Sequence, residues 1–239
     1  MWILALDGSL ARCSAAVLAE GRIVARESAA AERGHAAILP PMVGRVLRAA
    51  GVTAPQLDAV AVGVGPGGFT GLRAALALAQ GIALGAGLPL VGVTTSEALV
   101  AALAEEERRG ARAVWSAIDT RRGGGRVILE RFAPGAAVPL GPPEAFAEAE
   151  LPQPPGPVML VGDAAPAVAA RLLARGADAR LTDRHLPDAA DLARVGALRL
   201  AGRLPPRGAD PLYVEPPAVR TGVAPGGATP AGAAAAART

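Results

Sequence analysis

The chain has 239 residues, 51% of them hydrophobic but only 3% aromatic, with a net charge of +3 and a single cysteine. That length suits one large domain or two small lobes, and one cysteine excludes an internal disulfide framework. There is no lysine, so a small arginine excess lifts the pI to about 10.2; with no basic run longer than two residues, this is not a nucleic-acid signature.

The opening MWILALDGSLARCS has no basic region before its apolar stretch, and Asp7 interrupts that stretch early; no signal peptide is predicted. Polar residues break every apolar window before the ~18 that a membrane span needs. The expectation is a soluble cytoplasmic protein with no membrane contact.

Residues 2–7, 13–19 and 22–28 predict a three-stranded meander, its second turn at Glu20-Gly21. A helix follows, with Ile38, Leu39, Met42, Val43, Val46, Leu47 and Ala50 on one face, Pro40 and Pro41 opening or bending it, and Gly51 ending it. Strand 58–64, a glycine loop, a helix over about 70–86, strand 89–93 and a helix capped by Thr94 or Thr95 and running to about 109 complete the first half.

After Gly110 the order restarts. Residues 113–119, AVWSAID, echo 2–7, WILALD, and 126–132 pair back across an RRGGG turn. The Pro/Gly/Ala-rich stretch 134–157 is irregular with a short helix near 143–149, followed by strand 158–161, helix 164–175, strand 179–182 and helix 188–202. Residues 217–239 lack apolar periodicity and read as a disordered tail. The result is a duplicated α/β fold with lobes at 1–110 and 111–216.

The segment Gly63-Val64-Gly65-Pro66-Gly67-Gly68 satisfies G-x-G-x-x-G. No acid lies between Asp58 and Glu97 to hold a ribose, and Pro66 removes an N–H from the turn, so a dinucleotide site is not predicted. A P-loop needs lysine, which the chain lacks. Two readings stand: an anion at the N-terminus of the following helix, near Gly68–Gly71, or glycines that let strand and helix pack closely.

Asp7-Gly8-Ser9 and Asp119-Thr120 end matching strands, and Gly162-Asp163 ends another. Facing acids at such turns could hold hydrated Mg²⁺ and phosphate between the lobes; equally, Asp and Ser make good turns. His35 and His185 stand alone, without metal-ligand spacing. Cys13 reads as core, and no serine sits in a G-x-S-x-G elbow. Helix 70–86, LRAALALAQGIALGAG, is apolar almost all round. Such a helix is buried in a core or pressed against another protein, and with residues 38–50 it forms either lobe packing or an interface.

These residues resemble the TsaB (YeaZ-type) family. The carrying motif is Gly65-Pro66-Gly67-Gly68-Phe69-Thr70-Gly71-Leu72-Arg73, followed by Gln80-Gly81. Further matches are LALD with Ser9, Cys13-Ser14, Arg33-Gly34-His35 with Ile38-Leu39-Pro40, Ala117-Ile118-Asp119 with Arg121, Gly162-Asp163, and Pro211-Leu212-Tyr213-Val214-Glu215-Pro216-Pro217. The chain departs from the family pattern at Gly68 (usually Ser), Gln80 (usually Lys), Arg122–Gly125 (usually an acidic-aromatic hairpin) and Glu215 (commonly Arg).

The resemblance implies the duplicated actin-like/sugar-kinase/Hsp70 (RNase H-like) two-lobed fold. It also implies a subunit without catalytic or metal residues and with no cofactor of its own, ATP and Mg²⁺ entering only in a complex. Its implied partners are TsaD, to which it binds, and the ATPase TsaE, which joins the pair. Together they transfer threonylcarbamoyl to N6 of the adenosine next to the anticodon, so that tRNA is met only through the complex. On this resemblance the partner face falls on His35, Ile38, Leu39, Met42 and Val46 of one helix and Arg73, Leu76, Ala77, Gln80 and Leu84 of the other. Asp7, Ser9, Gly67, Gly68, Asp119, Gly162 and Asp163 would be a vestigial nucleotide or anion site. The alternatives are a phosphotransferase of the same fold acting alone through Asp7 and Asp119, and a homodimer over the same helices.

Overall fold

The computed structural model describes residues 1–121 and 125–214. Part of the expected RRGGG turn (122–124), the closing Glu215-Pro216-Pro217 and the tail 217–239 lie outside the described residues.

Strands β1 (Trp2–Asp7), β2 (Arg12–Ala19) and β3 (Arg22–Ala30) form the meander. Glu20 and Gly21 both have positive φ, the conformation that a two-residue hairpin turn demands. Helix α1 spans His35–Ala50, with Pro40 and Pro41 inside its first turns rather than at its start. Then come β4 (Ala59–Gly63), α2 (Phe69–Ala86), β5 (Leu90–Val93), α3 (Thr95–Ala101) and α4 (Glu105–Arg109). The expected continuous helix to 109 is thus two, broken at residues 102–104.

The second half has β6 (Ala113–Asp119), β7 (Arg126–Phe132), β8 (Glu144–Ala147), β9 (Val158–Val161), α5 (Ala165–Ala174), β10 (Ala179–Leu181) and α6 (Ala189–Leu200). The short helix expected near 143–149 is a correction: Glu144–Ala147 is an edge strand antiparallel to β7, and only 148–150 turn helically. Pairing with the apolar run Val127–Leu129 overrides the helix propensity of alanine and glutamate.

The two sheets have one topology. The first is ordered β3-β2-β1-β4-β5 and the second β8-β7-β6-β9-β10, each an antiparallel meander continued by two parallel strands. This is the duplicated α/β architecture that the repeated order of elements predicted. Side chains of β1 alternate between faces: Leu4 and Leu6 enter a core with α1 and α2, Ile3 and Ala5 a core with α3 and α6. Both faces are covered, so the strand reads as a continuous apolar run. Helix α2 has the length and apolarity of a membrane span, yet Leu72, Ala75, Leu76, Ala79 and Ala83 pack on the first sheet.

The lobes exchange helices. Helix α6, from the second half of the chain, packs on β1, β2, β4 and β5 of the first sheet, whereas α3 packs on α6 and on β6 and β9 of the second. A boundary at residue 110 therefore does not follow the packing. Leu10, Leu99, Val100 and Leu103 also join Val114, Ile118, Ile128 and Phe132 in one core between the sheets.

Candidate partner interface and inter-lobe cleft

The glycine loop closes onto the turn after β1. The Gly68 N–H donates to the Ser9 carbonyl at 2.7 Å. A methyl group on Gly67 would run into that carbonyl, and one on Gly71 into the Gly8 carbonyl and the His35 ring. Behind the loop, the Thr95 hydroxyl donates to the Pro66 carbonyl at 2.7 Å and the Thr95 N–H to the Gly65 carbonyl at 2.9 Å. The glycines here serve close approach of backbone to backbone, and the Gly68 N–H is already used.

Asp7 is completely buried. Its Oδ2 accepts the Ser9 N–H and hydroxyl, each at 3.2 Å, while Oδ1 is buried with no hydrogen-bond partner. Burial pushes this carboxyl up to about 6, the Ser9 hydrogen bonds opposing it. The expectation that Asp7 faces a nucleotide site is therefore corrected: its carboxylate is buried beside Gly63 at the end of β4.

In the second lobe, Asp163 Oδ1 accepts the Asp119 N–H at 3.0 Å and Oδ2 takes Arg121 Nη2 at 2.6 Å. Burial raises the Asp163 carboxyl, against the pull of the Asp119 N–H and Arg121. Gly162 has φ +103, donates to the Arg184 carbonyl and has no room for a side chain beside Ala117. A cleft of about 590 Å³ opens between the turn 8–11, residues 32–35 before and at α1, residues 68–71 at the start of α2, and Arg121. Of the expected anion set only Ser9 and Gly68 border it; Asp7, Gly67, Asp119, Gly162 and Asp163 do not. Among the described residues no three His, Cys, Asp or Glu side chains gather where a metal ion could be held.

The expected partner residues divide into two sets. His35, Leu39, Met42, Val46 and Leu76 are buried in the chain's own core or beneath the turn, with His35 Nε2 3.0 Å from the Leu10 carbonyl. Leu39, Met42, Val46 and Leu76 are corrected to core residues, their helix faces covering the first sheet, and His35 to a buried residue at the edge of the cleft. Ile38 is half-buried, while Arg73, Ala77, Gln80 and Leu84 share the outer side of α2 with Thr70, Gly81 and Gly85. Leu84 is 87% exposed.

A family model described as TsaD, tRNA N6-adenosine threonylcarbamoyltransferase, matches residues 26–123. Over 123 residues the chain is 39% identical to the tRNA threonylcarbamoyladenosine biosynthesis protein TsaB of Escherichia coli, covering 52% of each chain. It is 46% identical over 78 residues to the tRNA N6-adenosine threonylcarbamoyltransferase of Nitratidesulfovibrio vulgaris, covering 32% of this chain and 22% of that one. The matched stretch spans about half the length of the curated TsaB relative. The solved structure of YeaZ from Pseudomonas aeruginosa superimposes with a TM-score of 0.73 at 30% identity, covering 89% of this chain and 99% of that one. The chain belongs to the TsaB/YeaZ family.

Two residues near the family motif escaped the sequence reading as site residues. Phe69 and Tyr213 stack with ring centroids 6.0 Å apart, and the Arg73 guanidinium lies 3.8 Å from the Phe69 centroid. Arg73 Nε donates to the Tyr213 hydroxyl at 2.9 Å. Only the presence of both residues in the TsaB-like motifs hinted at this; their separation by 144 positions hid the contact. The orientation of α2 had a legible sign: its two polar side chains beyond the first turn, Arg73 and Gln80, lie on one side with Ala77 and Leu84.

Proposed function

We propose that this TsaB/YeaZ-family chain is a non-catalytic subunit in the biosynthesis of threonylcarbamoyladenosine in tRNA. It works in the cytoplasm by docking on TsaD through the outer side of α2 and the adjoining part of α1. The observation that carries the reading is the composition of that side: Ala77, Gly81, Leu84 and Gly85 are exposed where a solvent-facing helix ordinarily carries charges. Small residues allow close helix approach, and an apolar surface of this kind favours a protein partner. The sealed Asp7 and the closed glycine turn support a supporting role rather than phosphoryl transfer by this chain alone.

In this reading TsaE joins the TsaB–TsaD pair, ATP and Mg²⁺ act in the assembled complex, and tRNA is engaged through TsaD. In the absence of TsaD, the same side of α2 serves a homodimer. The test is reconstitution with TsaD, TsaE and a threonylcarbamoyl-adenylate source, omitting one component at a time. Modification of tRNA should collapse when this chain is omitted and return when it is added; undiminished modification without it overturns the proposal.

A further inference from the structure

We infer that Arg73, positioned by Tyr213, receives an acidic side chain of the protein that covers α2. This rests on the docking reading above and adds the chemistry of the contact. The chain has only six aromatic residues, three Phe, two Trp and one Tyr. Trp115 and Phe132 are buried, Trp2 and Phe146 half-buried; Phe69 and Tyr213, at 50% and 45% exposure, stand together on the surface.

Tyr213 is brought there by residues 204–214, which return to the first lobe after α6. The Arg207 carbonyl accepts the Gly92 N–H at 3.0 Å, and the Leu212 N–H donates to the Val64 carbonyl at 2.7 Å. Leu212 packs against the first core. Tyr213 therefore occupies a fixed place, and so does the guanidinium it holds. One face of the fork lies on Phe69 and Nε is engaged by the hydroxyl. The Nη edge is left for a bidentate contact with a carboxylate. Such preorganisation lowers the entropy lost when a long side chain is fixed on binding.

Charge selects the occupant. Segments 35–50 and 69–86 contain Arg45, Arg48 and Arg73 and no acid, and Arg45 is already held by Glu27 through both carboxylate oxygens. A second copy meeting this surface about a two-fold axis would bring further arginines and no carboxylate from either helix. RNA would offer phosphates to Arg73 but nothing suited to Ala77, Gly81 and Leu84 beside it. A protein presenting an acid flanked by aliphatic side chains matches both parts.

The test is calorimetric titration of the full-length chain with its cognate TsaD at several salt concentrations. Arg73→Gln should weaken binding roughly 10- to 100-fold and flatten its salt dependence. Tyr213→Phe should weaken it by about 3- to 10-fold in the wild-type background and have no further effect beside Arg73→Gln, because it acts through that residue. The melting temperature should stay unchanged in all variants. Unaltered affinity in Arg73→Gln, or additive losses in the double variant, overturns the inference while leaving TsaD docking intact. A change confined to self-association or to tRNA binding also overturns it. Failure of the wild-type chain to bind TsaD overturns the docking reading itself, and this inference with it.

Discussion

Glu97 Oε1 and Arg199 Nη2 meet at 2.6 Å, with side chains only 3% and 4% exposed. Arg199 also donates to the carbonyls of Gly92 and Pro205, and Glu97 Oε2 accepts the Thr94 N–H that begins α3. The pair joins α3 to α6, the two helices the lobes exchange. Removing one partner leaves the other charged and buried, a loss of about 3–5 kcal/mol. Arg199→Met and Glu97→Gln should each lower unfolding free energy by that order in urea titration. A loss below about 1 kcal/mol would mean that the pair is solvated in solution.

Glu130 of β7 is buried opposite Ser96 and Glu97 of α3 and near Arg207, and burial pushes its carboxyl up to about 7. A raised carboxyl means that the folded state binds its proton more tightly than the unfolded chain. The associated stability is complete below about pH 4.5 and is lost as pH rises to about 7. At roughly 1.4 kcal/mol per tenfold change in proton affinity, the loss is on the order of 3 kcal/mol. Glu130→Gln should match the wild type near pH 4.5, exceed it at pH 8, and remove the fall in stability between about pH 4.5 and 7. Asp7, titrating near 6, accounts for part of the fall at lower pH. Identical pH profiles for the two proteins would contradict this account of Glu130.

The glycines separate by position. Gly67→Ala and Gly71→Ala insert a methyl into the Ser9 and Gly8 carbonyls and should cost about 1–3 kcal/mol or more. Gly81 has no neighbouring atom within 4 Å of an added Cβ. Gly81→Ala should stabilise the free chain by roughly 0.5–1 kcal/mol through helix propensity. Thermal melts of the three variants check the contrast; equal effects would remove close packing as the reason for the loop's composition.

Much of the order of elements was readable because the central strands of both sheets are buried apolar runs bounded by Gly, Pro and Asp turns. Glu144–Ala147 was not, because alanine and glutamate favour helix locally; only the repeated topology, which requires a third meander strand beside β7, marks it as a strand. The exchange of α3 and α6 is a long-range packing outcome that no local period encodes. At the site, α1 periodicity correctly grouped Leu39, Met42 and Val46, but a shared apolar face is as much a core as an interface, and here it is core. The charged end of Asp7 looked available at a strand terminus. Its burial depends on Gly63 of β4, 56 residues further along the chain, where a side chain would run into the carboxylate, with Leu192 of α6 beside the same point.

Whether the outer side of α2 receives TsaD is tested most directly by binding of TsaD to Ala77→Arg and Leu84→Arg. Both positions are exposed, so these variants should fold and melt like the wild type, whereas Met42→Arg, in the core, should not fold. Calorimetry should find binding of TsaD weakened by about 2–5 kcal/mol, or more than roughly 30-fold, because an unpaired arginine is buried against an apolar partner surface. Wild-type affinity in both exposed variants would contradict the claim.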